Sequence, residues 1–453
     1  MSQSHEPYID EVATHRKRYL KIVHFTQSST RAAGVMLLAA IVALAVANSP
    51  LYPAFTEFWH TEITFGVGES IHSMSLVHII NDVLMAVFFL TVGLEIKYEM
   101  TVGELTDIRA AMLPIVAACG GVLVPVVIYS AFNAGGSAAA GWGVPTATDI
   151  AFALGILALL GDKVPSGIRV FLSTLAVADD IIAILVIAIF YGHSPDAAWL
   201  LGAAAVMVVL IVMNKKHVYS LAPYVAMGAV LWLCVFMSGV HSTIAGVLLA
   251  FTIPTGSSVN LHTFTHWGGA QVSRAHETFE PDKPVLGQGD YLKTVSGLSD
   301  VARKVVPPAV RLEHALSPWV SFLILPLFAL TNADVALGST SISQVFASPA
   351  FLGVFLGLLV GKTVGIMLFS AIVIKLKAAN LPSGANWMHM LGASVLGGVG
   401  FTMAIFVANL AYTDDSLVMA AKVGILCASA LAGVVGFLIL YAQAGKTKQE
   451  EVK

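Results

Sequence analysis

Long apolar runs constrain the fold of this chain more than any other feature of its sequence. About twelve of them come close to the ~20 residues that a helix needs to span a bilayer. They start near Arg31, Leu76, Met112, Gly143, Ser166, Ala198, Ser220, Gly239, Ala309, Pro349, His389 and Leu417. The two runs between Ser220 and Pro254 are short, so that stretch also fits one long helix. Only 11% of the residues are charged and 57% are hydrophobic, whereas soluble domains carry about a quarter charged residues. We therefore predict an all-α polytopic membrane protein with about 12 transmembrane helices.

Positive residues indicate the orientation of these spans, because cytoplasmic loops of membrane proteins carry an excess of Lys and Arg. With the N-terminus inside, all of the 24 Lys and Arg residues except Lys362 and Lys422 fall in cytoplasmic loops and ends. The sequence therefore predicts an even number of spans with both termini in the cytoplasm. A tail of residues 1–30 precedes the transmembrane domain of residues 31–443, and a second tail of residues 444–453 follows it.

Two segments between the spans have patterns of their own. Residues 58–75 alternate around Gly66 and Gly68, which predicts a small external β-hairpin that offers a dimer contact; the alternative is an ordinary loop. Residues 255–307 are polar and rich in Gly, Pro, Ser and His. They predict a long, mobile, solvated cytoplasmic loop.

Two adjacent carboxylates, Asp179 and Asp180, lie in the middle of an apolar run. Ionisable groups inside spans cost about 2.5 to 3.5 kcal/mol each and usually mark ion pathways. Neighbours on a helix point about 100° apart, so the two side chains can face different partners. Burial and mutual repulsion both disfavour two charged forms. Such a pair can hold either protons or a sodium ion, and the alternative is a structural pair buried against a cation or a helix terminus.

Three further features interrupt the spans. Pro145 to Asp149 combine a helix breaker with oxygen-bearing side chains. Gly397 to Thr402 contain three glycines in a short stretch, which either weakens the helix or permits close helix packing. Lys362 is a cation inside a span and needs a carboxylate or a helix C-terminus as partner. Interrupted spans at matching places in two halves point to inverted repeats, with two interrupted helices crossing near the membrane midplane at the binding site.

These features together resemble the NhaA-type bacterial sodium/proton antiporters, and the resemblance runs from about Arg31 to Ala442. The motifs that carry it are Val144-Pro145-Thr146-Ala147-Thr148-Asp149-Ile150-Ala151-Phe152-Ala153-Leu154-Gly155, the Asp179-Asp180 pair, Gly361-Lys362, Gly398-Val399-Gly400-Phe401-Thr402-Met403, Asn81-Asp82-Val83-Leu84-Met85-Ala86-Val87-Phe88-Phe89 and Ser238-Gly239-Val240-His241. Their order and spacing make the resemblance specific.

The resemblance implies a role for each matching position. Asp180 is expected to be the principal sodium ligand, and Asp179 its neighbour in the ion-binding and proton-carrying site. Helix crossing and charge compensation are expected from Thr148, Asp149, Lys362, Gly398 and Gly400. Regulation by pH is expected from Glu95, His241, Glu313 and His314.

The resemblance also implies the activity and its setting. The family exchanges intracellular sodium or lithium for external protons, moves more protons than sodium ions per cycle, and serves pH homeostasis. It implies a transporter rather than an enzyme, no cofactor, a place in the bacterial cytoplasmic (inner) membrane, and a homodimer formed through the external hairpin. Two departures bear on pH regulation. Tyr98 stands where the family has a basic residue, and residues 255–307 look like an insertion before Arg311.

Other classes of function fit less well. A sodium-coupled symporter of an organic solute also uses broken helices, but it needs a sizeable solute pocket. An intramembrane aspartyl protease needs two acids from separate helices, and a haem protein needs paired histidines, whereas His241 has no evident partner in the sequence pattern. A nucleic-acid partner is not indicated, because the net charge is −3 and no basic stretch is interleaved with aromatic residues.

Overall fold

Long apolar helices dominate the structure, a computed structural model that describes residues 28–67, 70–192, 195–336 and 342–450. Among these residues, nine helices are long and apolar enough to cross a membrane. They are Ser29–Ala47, Leu76–Thr101, Ile108–Asn133, Ala139–Leu159, Ser166–Phe190, Ala197–Lys215, Pro308–Asn332, Pro349–Lys375 and Asp415–Gln443. A tenth span consists of two helices, Trp387–Leu396 and Phe401–Ala411, which are bent by 45° at the break between them.

The remaining two predicted runs form shorter helices. The run after Ser220 is the helix Leu221–Met237, and the run after Gly239 is Ile244–Thr252, of only nine residues. The shorter one rises about 14 Å, roughly half the thickness of a hydrocarbon core. Gly239 separates them with a φ of 78°, in the left-handed region that favours glycine. The predicted all-α polytopic class is confirmed, and the stretch after Ser220 is two helices rather than one.

A two-stranded antiparallel sheet is the β-structure of the described residues. Strand β1, Glu62–Val67, pairs with strand β2, Ser70–Ser75, in a register that places Glu62 opposite Ser75. The predicted hairpin is therefore confirmed, although residues 68–69 at its turn lie outside the described residues. The helix Tyr52–Trp59 precedes β1 and contains the first two residues of the predicted hairpin segment. The dimer contact remains a prediction.

The chain divides into two compact units. The first contains residues 1–88, 99–193 and 318–453, and the second contains residues 89–98 and 194–317. Of the tails predicted at 1–30 and 444–453, residues 1–27 and 451–453 lie outside the described residues. Each unit has its own apolar core, and many outward apolar side chains remain exposed, among them Leu201 (71%), Ile189 (69%) and Val127 (66%). Apolar exposure on this scale is expected where lipid replaces water.

The segment 255–307 differs from the predicted mobile loop, because it contains two helices, Leu261–Thr278 and Gly289–Val305. We call this segment the helical hairpin. Gln288 closes its turn: the side-chain amide donates to the carbonyl groups of Glu280 and Lys283, at 2.7 Å each, and accepts the Glu280 N–H at 3.0 Å. These two helices were not predicted, because the apolar repeat of the second one is hidden in polar sequence. Its members are Tyr291, Val295, Leu298, Ala302 and Val305.

Candidate ion-binding site

The first interrupted span consists of a 3-10 segment, Ala139–Thr146, and the helix Ile150–Leu159. Pro145 ends the regular bonding, because proline has no N–H to donate. The backbone is then extended at Ala147 and at Asp149, and Asp149 caps the second half by accepting the Phe152 N–H at 2.9 Å. Aspartate is among the preferred residues at a helix N-cap. The local sequence therefore accounts for both the stop and the restart.

The second interrupted span consists of Trp387–Leu396 and Phe401–Ala411. The glycines between its two halves pack closely against the backbone of other elements. A β-carbon on Gly398 would come within 2.5 Å of the Leu358 carbonyl oxygen, and one on Gly400 would lie 3.0 Å from the Ala147 carbonyl oxygen. The glycines thus allow a close approach as well as a break.

The two breaks contact each other directly. The Asp149 N–H donates to the Val399 carbonyl at 2.7 Å, and the Thr148 hydroxyl donates to the Gly397 carbonyl at 3.0 Å. The Oδ2 atom of Asp149 accepts the N–H of Thr402 at 3.1 Å and its hydroxyl at 2.5 Å. One carboxylate therefore holds the N-terminal ends of both second halves, where the helix dipoles favour negative charge.

Lys362 provides the opposite charge. Its side chain is fully buried, and the π-helix Gly357–Gly361 directly precedes it in the span Pro349–Lys375. Single π turns of this kind frequently occur at functional sites. The ammonium group donates to the Thr148 hydroxyl oxygen at 2.5 Å and forms an ion pair with Asp179. Because Thr148 in turn donates to the Gly397 carbonyl, the cation lies close to the C-terminal end of a first half, where positive charge is favoured.

Asp179 and Asp180 are both buried on the helix Ser166–Phe190, at 1% and 2% exposure. Asp179 pairs with Lys362 through Oδ2, and Asp180 also interacts electrostatically with the Lys362 ammonium. Among the described residues, no donor forms a hydrogen bond with the buried Oδ1 of Asp179. A buried carboxylate oxygen in that state is costly unless it binds something else. The carboxylate oxygens of this pair suit a hard cation, which prefers oxygen ligands.

A cavity of about 460 Å³ leads into the same unit. The residues that line it include Glu104, Arg109, Ser166, Phe171, Thr174 and Ser383. Thr174 precedes Asp179 by five residues on one helix, about 7.5 Å along the helix axis. The cavity therefore approaches the aspartate pair from the end of this helix that the charge distribution predicts to be cytoplasmic.

The four residues expected to regulate the protein by pH belong to the second unit, whereas the aspartate pair belongs to the first. Glu95 and Glu313 are half-buried on two of the spans, and His314, beside Glu313, is exposed and interacts with it electrostatically. His241 is half-buried in the turn before Ile244–Thr252. Tyr98, the departure from the family pattern, is exposed.

Two polar residues bind the backbone at the ends of short helices, and the sequence alone did not indicate either of them. Lys97 donates to the Phe251 carbonyl at 2.8 Å and also to the Ile253 carbonyl, at the C-terminal end of Ile244–Thr252. Ser429 accepts the N–H groups of Gly400 and Phe401 at 3.2 and 3.0 Å. Lys97 was one basic residue among several in a predicted cytoplasmic loop, and Ser429 is a lone serine in an apolar helix.

Broken helices whose ends meet around buried charges, inside a polytopic helical protein, are the architecture in which secondary transporters hold their ions. By this criterion the protein is an ion-coupled membrane transporter. Its chain belongs to the family described as Na+/H+ antiporter 1, whose model matches residues 23–440.

Curated relatives agree with this assignment. A protein of Wolinella succinogenes named Na(+)/H(+) antiporter NhaA is 43% identical over 430 residues, covering 95% of each chain. Proteins of the same name from Syntrophobacter fumaroxidans (44% over 416 residues, 91% of this chain and 88% of the relative) and Helicobacter pylori J99 (42% over 428 residues, 93% and 95%) are similar over nearly the whole length. The resemblance read from the motifs is confirmed.

Proposed function

We propose that this protein exchanges intracellular sodium or lithium for external protons, and that Asp179 and Asp180 form the site for which they compete. The family and the names of the relatives support the exchange itself. The observation that carries the site is the buried Asp179 carboxylate, which is held by Lys362 on one oxygen while its other oxygen receives no hydrogen bond from the described residues.

Charge balance gives the competition its physical basis. Two ionised carboxylates and one ammonium leave the buried cluster of Asp179, Asp180 and Lys362 with one excess negative charge. Either one sodium ion or one proton neutralises that charge. Binding both together, or leaving the cluster without either, puts a net charge in a low-dielectric site, which is strongly disfavoured. Asp149 does not enter this balance, because it is compensated by the helix N-termini that it caps.

Electrogenic exchange needs a second proton for each sodium ion. The cluster can supply it when sodium bound at Asp179 displaces the ammonium of Lys362, which then releases a proton, so that the cluster carries one more negative charge with sodium than with protons. We propose that the second proton is carried within the cluster, by the other aspartate or by Lys362. We also propose that sodium enters through the cavity that reaches Thr174 and that Glu95, His241, Glu313 and His314 adjust this activity to pH.

The setting of this activity follows from the same sources. The family and the spans support a multi-pass bacterial membrane protein. We propose the inner membrane, with both termini in the cytoplasm, because of the distribution of Lys and Arg. We also propose a homodimer formed through strands β1 and β2, because a two-stranded ribbon has unpaired edges.

Everted membrane vesicles test the exchange and the site together. Respiration acidifies the vesicle interior, and a pH-sensitive dye reports whether added sodium collapses the gradient. We expect wild type to respond across a range of pH and Asp180→Asn, present in equal amount, to lack the response. A silent wild type at every pH would refute the exchange, whereas a fully active Asp180→Asn would refute the aspartate site alone.

A further inference from the structure

The second half of the second interrupted span begins with backbone N–H groups that have no partner within the helix. Three consecutive groups, those of Gly400, Phe401 and Thr402, are satisfied by side chains of other elements. Asp149 accepts the third, and the hydroxyl oxygen of Ser429 accepts the first two. Ser429 is buried, at 4% exposure, on the helix Asp415–Glu450.

We infer that Ser429 is a positioning residue of the ion site: its hydroxyl fixes the start of Phe401–Ala411 and thereby sets the affinity of the site for sodium. This inference rests on the proposed function. None of the motifs that define the family resemblance contains Ser429.

The connection to the ion site is continuous. Ser429 holds Gly400 and Phe401, next to Val399, whose carbonyl accepts the Asp149 N–H at 2.7 Å. Thr148 directly precedes Asp149, and its hydroxyl accepts a hydrogen bond from the ammonium of Lys362. A shift of the helix start therefore moves the backbone that places Thr148 and, through it, the lysine that pairs with Asp179.

Electrostatics determines the direction of the effect. An uncapped helix N-terminus carries partial positive charge on its N–H groups, and this charge repels a cation that binds nearby. The hydroxyl oxygen of Ser429 compensates two such groups, so removing it weakens cation binding. We expect the sodium concentration for half-maximal exchange to rise about threefold to tenfold in Ser429→Ala, the range that a partly buried helix terminus gives. The maximal rate per folded protein should change much less.

The experiment compares four proteins in everted vesicles, each titrated with sodium at several pH values and normalised to the amount of folded protein. They are wild type, Ser429→Ala, Ser429→Thr and the matched control Ser370→Ala. Ser370 is also buried, on the span Pro349–Lys375, and its hydroxyl makes no hydrogen bond with the described residues. We expect the half-maximal concentration to rise in Ser429→Ala, to stay near the wild-type value in Ser370→Ala, and to return towards it in Ser429→Thr, which keeps the hydroxyl.

Two outcomes would overturn the inference. One is a Ser429→Ala protein with the wild-type sodium dependence and only a lower maximal rate, since that pattern belongs to a purely structural role. The other is an equal rise in both alanine variants. A wild type without any sodium response would instead refute the proposed function, so the two failures are distinguishable.

Discussion

Replacing Lys362 with methionine should leave Asp179 without its cation while keeping most of the buried volume. Lys362 and Asp179 are fully buried and form an ion pair. Removing one partner of a buried pair costs about 3–5 kcal/mol, because the other charge is left uncompensated. The stranded carboxyl group avoids that cost by binding a proton in the folded state.

The pH dependence follows from that proton. In the unfolded chain an aspartate has a pKa of about 3.9, so its carboxyl group is ionised at pH 7. Keeping the same group protonated in the folded protein costs about 1.4 kcal/mol for each of the ~3 pH units between these values, or roughly 4 kcal/mol. Asp179 then binds one proton more in the folded variant than in the unfolded chain. This proton makes the free energy of unfolding fall as pH rises, and its contribution is about 1.4 kcal/mol per unit.

The assay compares Lys362→Met with the double variant Lys362→Met/Asp179→Asn. Both are purified in detergent without sodium, and their unfolding is followed at pH 6, 7 and 8. The double variant lacks the stranded carboxyl group at Asp179, so it should be the more stable of the two, with a gap that widens by about 1.4 kcal/mol per pH unit. A gap of zero, or one that does not change with pH, would refute the assignment of Asp179 as the partner of Lys362.

Three other changes test the helix crossing and the helical hairpin. Asp149→Asn keeps one acceptor oxygen but loses the second and the charge, so stability measured by thermal unfolding should drop by about 1–3 kcal/mol. Gly400→Ala places a methyl group 3.0 Å from the Ala147 carbonyl oxygen and should lower sodium-driven exchange strongly. The control Gly269→Ala should leave exchange unchanged, because its added methyl group meets no described atom within 4 Å apart from its own stretch of helix. Gln288→Ala removes the side chain that closes the helical hairpin and should speed limited proteolysis between residues 279 and 289, while sodium-driven exchange in vesicles persists.

Much of the fold was predictable because membrane spans have a strong compositional signal. The breaks in the interrupted spans were predictable too, since Pro145 and the glycines around Gly398 are residues that helices tolerate poorly. Lys362 and the Asp179–Asp180 pair stood out because charge in an apolar run is expensive.

The contacts between those features were not predictable from the sequence. Thr148 and Gly397 are separated by 249 positions, and only the fold brings the hydroxyl to the carbonyl. Lys422, the second cation inside a span, finds Asp334 at 3.0 Å, a partner that no local pattern indicates. The helical hairpin was missed because its apolar positions are few and its polar composition is typical of a loop.

The single carboxylate of Asp149 has a mechanical consequence for transport. It is bonded to the starts of two helices, Ile150–Leu159 and Phe401–Ala411, so these second halves share one pivot and turn together unless its hydrogen bonds break. The opposite ends of the crossing are linked through Thr148 to Lys362, whose ion pair with Asp179 would be exchanged for sodium in the proposed function. In the proposed exchange, ion binding would therefore act on the side of the crossing that Lys362 holds, and the side that Asp149 holds would stay fixed.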